Sequence, residues 1–401
     1  MIADVPVRET VVPATLDEAV EIMRARAARG SSVSFMGGGT DLGYGNSPER
    51  VDTLLRTEKL MRVVEYAPSD QIVTVEAGLR LGPLQKTLAA ENQRLALDPP
   101  KAELATLGGL LATNGYGPLR TRFGTLRDLI VGISIVRADG TVARGGGKVV
   151  KNVAGFDLPK LMVGSLGTLG LIASATFRLH PMPERREWHA VATRSLHDVR
   201  TLCRALLDRR LEPSAVITLA NADACTTYVL FEGFGAGVES QAAKLREVAR
   251  DLFDGDASRV DTQAGGVDAA ALDEGARTYG NVRLRISTPP ALVPSLEHGI
   301  LAPLRSAYQE CRVVLYPTVG VTFIGGFPRD GDRFVSALEG ARAVAEAGGG
   351  NLVVVECAEP SLRERIDVFG ALPDSFPIMR RLKERFDPER RLNPGRFLGG
   401  L

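Results

Sequence analysis

Cysteine, histidine and tryptophan are scarce in this 401-residue chain, which has four, four and one of them. The cysteines, Cys203, Cys225, Cys311 and Cys357, are never closer than 22 positions. With no C-x-x-C pair the chain cannot supply an ordinary iron–sulfur or zinc-ribbon motif, and a disulfide scaffold is excluded at this length. All four histidines (His180, His189, His197, His298) and all four cysteines lie beyond residue 179. The N-terminal part therefore has no imidazole or thiolate to serve as base, nucleophile or covalent tether. Charge of one sign is also lacking: 49 basic and 48 acidic residues leave +1, no footprint for nucleic acid or an anionic membrane. No apolar run approaches the ~18 residues of a membrane span. The opening M-I-A-D-V-P-V-R-E-T has neither the basic start nor the apolar stretch of a signal peptide. A cytoplasmic, soluble protein is expected.

The two commonest nucleotide signatures are missing too. No G-x-G-x-x-G follows an expected strand, and no G-x-x-x-x-G-K-[ST] occurs; Gly147-Lys148 lacks both the upstream glycine and the following hydroxyl. A dinucleotide site of the Rossmann kind and a Walker ATPase are both disfavoured.

Glycine is abundant instead, with 43 residues. In the first half it punctuates short elements. Thr15-Leu16-Asp17-Glu18 fits a capping box before a helix that Gly30 stops. Strands are expected at Val33–Met36, Val63–Tyr66, Ile72–Ala77, Ile130–Arg137, Thr141–Arg144 and Leu171–Leu179, with a hairpin turn over Arg137–Thr141. Pro181 and Pro183 mark a linker. Beyond it the pattern becomes strand, helix, strand, strand, helix, strand, and then repeats. The first copy takes the Ala190 region, Leu196–Arg209, Ala215–Leu219, Thr226–Phe234, Ala242–Leu252 and Ala257–Asp261. The second takes Val282–Ser287, Leu292–Tyr308, Arg312–Tyr316, Gly320–Ile324, Arg333–Ala347 and Leu352–Cys357. Each copy is a split βαββαβ unit. The tail from Phe376 reads as a short helix and an ordered arm.

Four clusters sit between elements of the first half: Gly37-Gly38-Gly39-Thr40, then Thr106 to Gly115, Arg120 to Asp128, and Gly164 to Gly170. Taken singly, Gly37–Thr40 reads equally well as a tight turn or as an anion cradle. Glycine lets successive N–H groups converge on an anion and lets backbone approach closely. Four such loops point to a large phosphate-bearing ligand held mainly by backbone groups.

F-M-G-G-G-T-D-L, A-T-L-G-G-L-L-A-T-N, K-N-V-A-G-F-D-L-P-K-L-M-V-G-S-L-G-T-L-G-L-I and the ending F-D-P-E-R-R-L-N-P-G-R-F occur in this order. Together they resemble the vanillyl-alcohol oxidase (PCMH-type) flavoproteins, and among these the FAD-binding subunits of bacterial glycolate oxidases. The resemblance covers nearly the whole chain. It implies an α+β fold, with a PCMH-type FAD-binding domain over 1–183 and a cap over 184–372. The cap would hold an antiparallel sheet built from two ferredoxin-like βαββαβ units, and 373–401 would return as an arm to the FAD domain. Met36, Gly37, Gly38, Gly39, Thr40, Asp41 and Leu42 would form the pyrophosphate loop. Thr106, Leu107, Gly108, Gly109, Thr113 and Asn114 would line the flavin and its phosphates. Gly124, Gly167, Leu171 and Ile172 would meet the ring or the adenosine portion. Lys151-Asn152 and Asn393-Pro394-Gly395 are weaker candidates near the ring edge.

Two departures from the wider family shape the functional expectation. Relatives that tether FAD use a histidine or cysteine in the flavin domain; with neither present, the FAD is expected to be non-covalent and no metal is expected. Relatives that oxidise 2-hydroxy acids alone carry an H-x-G-D-G-N-type cap motif. The corresponding stretches here, Tyr316–Ile324 and Gly348–Leu352, have no histidine. Arg283, Arg285 and Arg312 are candidates to clamp a carboxylate, with pairing to nearby acids as the alternative, and no histidine is assigned to catalysis. The resemblance implies an FAD subunit of a glycolate (2-hydroxy-acid) dehydrogenase complex that relays electrons or supports assembly. Its partners would be a paralogous catalytic flavin subunit and an iron–sulfur subunit, with membrane contact only peripheral and through them. The rivals are a stand-alone FAD-dependent 2-hydroxy-acid dehydrogenase, using arginines with Tyr316 or Lys151, and a structural flavoprotein subunit without FAD.

Overall fold

The computed structural model describes residues 5–147, 156–221, 224–253, 260–261 and 269–401. Lys148, Lys151 and Asn152 lie outside the described residues. The chain divides into two compact units: unit 1 comprises 1–116, 124–182 and 371–401, and unit 2 comprises 117–123 and 183–370.

Unit 1 contains three sheets among the described residues. β1 (Val7–Val11), β2 (Val33–Met36) and β3 (Val51–Arg56) form a parallel sheet in the order β1-β3-β2. β4 (Val63–Ala67), β5 (Ile72–Glu76), β7 (Ile130–Val136), β8 (Val142–Gly146) and β9 (Leu171–Arg178) form an antiparallel sheet in the order β4-β5-β9-β7-β8. The short β6 (Gln93–Arg94) and β10 (His180–Pro181) pair with each other. Helix Leu16–Ala28 joins the two larger sheets. Its Ala19, Val20 and Met23, at helical spacing, are buried with Val33 and Leu55 from one sheet and Val136, Leu171 and Ala173 from the other. Thr15 caps this helix by accepting from Glu18 N at 3.1 Å. The return bond of the expected box differs: the Glu18 carboxylate accepts from Ala14 N, one residue earlier than Thr15.

Unit 2 is organised around one eight-stranded antiparallel sheet. Its strands are β11 (Arg185–Ala192), β12 (Ala215–Ala220), β13 (Cys225–Gly233), β14 (Val260–Asp261), β15 (Val282–Ser287), β16 (Tyr308–Tyr316), β17 (Val321–Pro328) and β18 (Asn351–Cys357). The order across the sheet is β14-β11-β13-β12-β16-β17-β15-β18. Numbered within each repeat, this is 4-1-3-2 followed by its mirror image 2-3-1-4, so the two repeats meet along their second strands, β12 and β16. β15 shows why the chain extends there: Val282, Leu284 and Ile286 are buried, while Arg283, Arg285 and Ser287 alternate to the other face.

Three details of unit 2 depart from the sequence reading. The helix expected at Ala242–Leu252 begins seven residues earlier, at Gly235, because Val238 extends its buried stripe through a glycine-rich first turn. The helix expected at Leu292–Tyr308 is three pieces: a 3-10 turn at Pro290–Ser295, a π turn at Glu297–Leu301 and an α-helix at Ala302–Ala307. Pro294 and Pro303 lack the N–H that a continuous ladder needs. β16 consequently starts at Tyr308, four residues before the expected position.

Candidate functional site

β2 delivers the first glycine cluster straight off its C-terminal end, and the chain stops hydrogen-bonding there. Among the described residues, the N–H groups of Gly37 through Leu42 donate to no acceptor within the chain. Six consecutive unspent donors are costly unless water or a ligand accepts from them. The loop is pressed against the segment that caps helix Leu107–Thr113. A Cβ on Gly37 would lie 2.0 Å from Thr106 Oγ1, and one on Gly38 would lie 2.0 Å from the Leu104 carbonyl oxygen. Only glycine permits that approach. Thr40 donates its hydroxyl hydrogen to Asp41 at 3.0 Å.

The helix beneath contributes shape rather than donors. Leu107 N donates to Leu79 O, Gly108 N to Ala77 O, and Gly109 N to Thr106 Oγ1 at 3.2 Å. Its first amides are therefore spent, and the anion-binding capacity of the cleft lies in the 37–42 loop.

Two adjoining cavities follow from this packing. The first, about 500 Å³, is lined by Met36 to Leu42, Thr106, Gly109 and Thr113, together with Phe35, Ala112, Leu166, Asn393 and Arg396. The second, about 380 Å³, is lined by Met36, Gly37, Gly108, Gly109, Gly167, Leu171 and Ile172, together with Phe35, Thr57, Ala77, Ala112 and Gly170. Three residues from the sequence reading stand elsewhere. Leu107 is fully buried core, Asn114 is the left-handed C-cap of the helix, and Gly124 turns the chain ahead of the Thr125–Asp128 capping box.

The C-terminal arm closes one wall, for reasons that begin with a buried ion pair. Lys383 and Asp387, one helical turn apart, are 2% and 0% exposed. The Lys383 ammonium donates to Asp387 at 2.8 Å, to Thr168 O at 2.8 Å and to Leu392 O at 2.9 Å. Asp387 also accepts from the backbone of Arg391 and Leu392. Burial pushes the Lys383 pKa down from its ordinary value, and Asp387 opposes that shift. This pair fixes the arm against the 164–170 turn, and Asn393 adds a bond from Nδ2 to Leu166 O at 2.8 Å. Arg396 then donates to the carbonyls of Leu42 and Tyr44. Sequence reasoning missed Arg396, Phe35 and Leu166. The N-P-G-R run held a signal for the first; the other two are ordinary apolar residues until the fold places them.

Residues 7–146 match the family described as FAD binding domain. The loop fits the diphosphate of that cofactor, with unspent amides and a cradle that any side chain would fill. FAD is the cofactor. D-lactate dehydrogenase of Archaeoglobus fulgidus is 34% identical over 207 residues, 51% of this chain and 46% of that relative. The aligned stretch thus spans under half of that relative. Glycolate oxidase subunit GlcE of Escherichia coli is 38% identical over 122 residues, 30% of this chain and 35% of that subunit. Glycolate oxidase subunit GlcD of Bacillus subtilis is 25% identical over 424 residues, 96% of this chain and 88% of that subunit. Among solved structures, alkyldihydroxyacetonephosphate synthase aligns with a TM-score of 0.67 at 17% identity, covering 96% of this chain and 75% of that one. That likeness bears on the fold alone. The chain is an FAD-dependent oxidoreductase by this kinship. Among the described residues no cluster of side chains fit for a metal occurs, and no helix is long and apolar enough to cross a membrane.

Proposed function

We propose that this chain is the FAD-binding subunit of a glycolate (2-hydroxy-acid) oxidase/dehydrogenase complex. In it the chain relays electrons or supports assembly beside a paralogous catalytic flavin subunit, and an iron–sulfur subunit carries electrons onward. Unit 2 is read as the cap, two ferredoxin-like units sharing one sheet. Bound FAD supplies a two-electron acceptor, and the chain's own residues decide what can be presented to it.

The observation that carries this reading is the state of the cap's cations. Oxidising a 2-hydroxy acid calls for a cation to clamp the carboxylate and a base for the hydroxyl proton. Arg283 is paired with Glu356 at 3.0 Å, and Arg312 stacks over Tyr279 at 4.2 Å and donates to Gly275 O. Arg277 donates to the Tyr316 hydroxyl at 2.9 Å and stacks on Phe323 at 4.1 Å, while Arg285 is also engaged. Tyr316 in turn donates to Asp273, whose carboxyl burial pushes above the ordinary range. These groups are occupied with one another rather than poised for a substrate. Four scattered, buried or half-buried thiols make no set of cluster ligands, so in such a complex the iron–sulfur centre belongs to a partner.

A second reading has its own support. Alignments covering 96% of this chain reach D-2-hydroxyglutarate dehydrogenase of Xanthomonas citri at 26% identity, and favour a stand-alone dehydrogenase. An anaerobic visible spectrum of the chain purified alone, before and after glycolate or D-lactate, separates the two. An acid-releasable flavin band that stays oxidised is expected, with bleaching only when the partner subunits are restored. Bleaching of the lone chain would transfer the assignment to the stand-alone enzyme.

A further inference from the structure

Charge is nearly absent from the larger cavity. Of its lining residues only Asp41 and Arg396 are ionisable, one of each sign. Asp41 belongs to the loop itself and adds negative charge where a diphosphate is to sit. Arg396 is the single cation of that lining, is 6% exposed, and comes from the opposite end of the chain, more than 350 residues away in sequence. Its guanidinium holds the carbonyls of Leu42 and Tyr44, which turns those peptide groups toward the arm at the end of the run of unspent N–H groups. The neighbouring segment donates back to the arm: Asn46 N to Arg396 O at 2.9 Å, Glu49 N to Pro394 O at 2.8 Å, and the Asn46 side-chain Nδ2 to Phe397 O at 3.1 Å.

We propose that the C-terminal arm is a latch on the FAD cleft and that Arg396 is its positioning residue. It fixes the 37–44 loop so that the amides of Gly37 to Leu42 are left for the cofactor's diphosphate, and it supplies the cation that offsets Asp41. This rests on the assignment of FAD to the cleft. The arm acts through Arg396, and Lys383 and Asn393 set where Arg396 stands by fixing the arm against the 164–170 turn.

The test uses the full chain, freed of flavin and titrated with FAD at low salt, following quenching of flavin fluorescence. Arg396→Gln is expected to weaken FAD binding by roughly 10- to 100-fold, the range of a buried charge-assisted contact. Its apoprotein should melt somewhat lower, because the Leu42 and Tyr44 carbonyls lose their donor, and the latch is read from the loss of FAD affinity that Arg396→Lys restores. Arg396→Lys, retaining the cation without the fork, should recover most of the affinity. Binding by Arg396→Gln equal to the wild type would overturn the inference. So would a loss shared by both variants and matched by a drop in apoprotein melting. Should Arg396→Gln not fold, a wild-type titration against sodium chloride reads the same charge. An FAD Kd that rises with salt supports the latch, and a flat one overturns it. Wild-type protein that binds no FAD would instead sink the cofactor assignment, so the two failures are distinguishable.

Discussion

In unit 1 the cleft glycines Gly37, Gly38 and Gly108 stand where a side chain would collide, whereas in the helices of unit 2 glycines such as Gly237 and Gly340 have nothing within 4 Å of a Cβ. The buried ions differ in the same way. Lys383 and Asp387 in unit 1 are met by three carbonyl or carboxylate partners and two backbone amides. In unit 2, His189 is 2% exposed and both its ring nitrogens lack a hydrogen-bond partner. Unit 1 also buries side-chain atoms without a hydrogen-bond partner, among them Ser34 Oγ, Asn114 Oδ1 and Ser165 Oγ, so the contrast between the units lies in their glycines and in these particular ions, not in how fully polar groups are satisfied. Close backbone approach is thus concentrated at the glycines of the cleft.

The strongest way to break that contrast is to remove the buried ammonium. Lys383→Met leaves the Asp387 carboxylate buried without its cation, a change expected to cost roughly 3–5 kcal/mol. Thermal unfolding read by two probes, one per unit, should show unit 1 melting earlier while unit 2 is unchanged. Equal losses in both units would mean that the pair is not local to the cleft. Gly38→Ala comes next. The new methyl must displace the Leu104 carbonyl, and overpacking of this kind costs about 1–3 kcal/mol. FAD affinity should fall with it, measured by fluorescence titration, while unit 2 again melts as before.

Part of the fold was legible in the residues. The strand Val33–Met36 running into its glycine cluster was readable, and so was the strand-rich second half, because period and punctuation are local properties. The site was legible where it depends on backbone: Gly37 and Gly38 declare a close approach. It was not legible where it depends on who lies opposite. Nothing local in Phe35 or Leu166 announces a cavity wall, and Leu107 looks like its neighbours although it faces the core. The helix broken at Pro294 and Pro303 was misread because the apolar spacing continues across both prolines. The expected phosphate role of the Thr106 helix start met a similar limit, since its amides are consumed by Leu79 and Ala77, partners no local pattern reveals.

His189 sharpens the contrast from the other side. Burial lowers its pKa below the ordinary 6.5, and Glu187, 3.7 Å away, opposes that shift only in part; Arg246 and Arg185 reinforce it. The folded state therefore binds fewer protons than the unfolded chain, whose histidine titrates near 6.5. Stability of unit 2 should be full above that value and should decline as pH falls through it toward the lower folded pKa. Urea midpoints for unit 2 between pH 7.5 and 5 would show the decline, and His189→Leu should flatten it. An unchanged slope would assign the acid sensitivity to other groups.

The smallest effect has the opposite sign to the Gly38 change, which is why it is informative. Gly340 lies inside helix Gly331–Ala347, exposed, with an α-helical backbone and no atom within 4 Å of where a methyl would stand. Gly340→Ala adds no clash there and removes conformational freedom from the unfolded chain, so unit 2 should gain about 0.5–1 kcal/mol. The same glycine-to-alanine chemistry would then destabilise one unit and stabilise the other. The sign is decided by whether the glycine lets backbone come close to a neighbour or merely interrupts a helix. A loss of stability on Gly340→Ala would mean that a neighbour within the chain covers this face of the helix, and that open space around a glycine does not decide the sign.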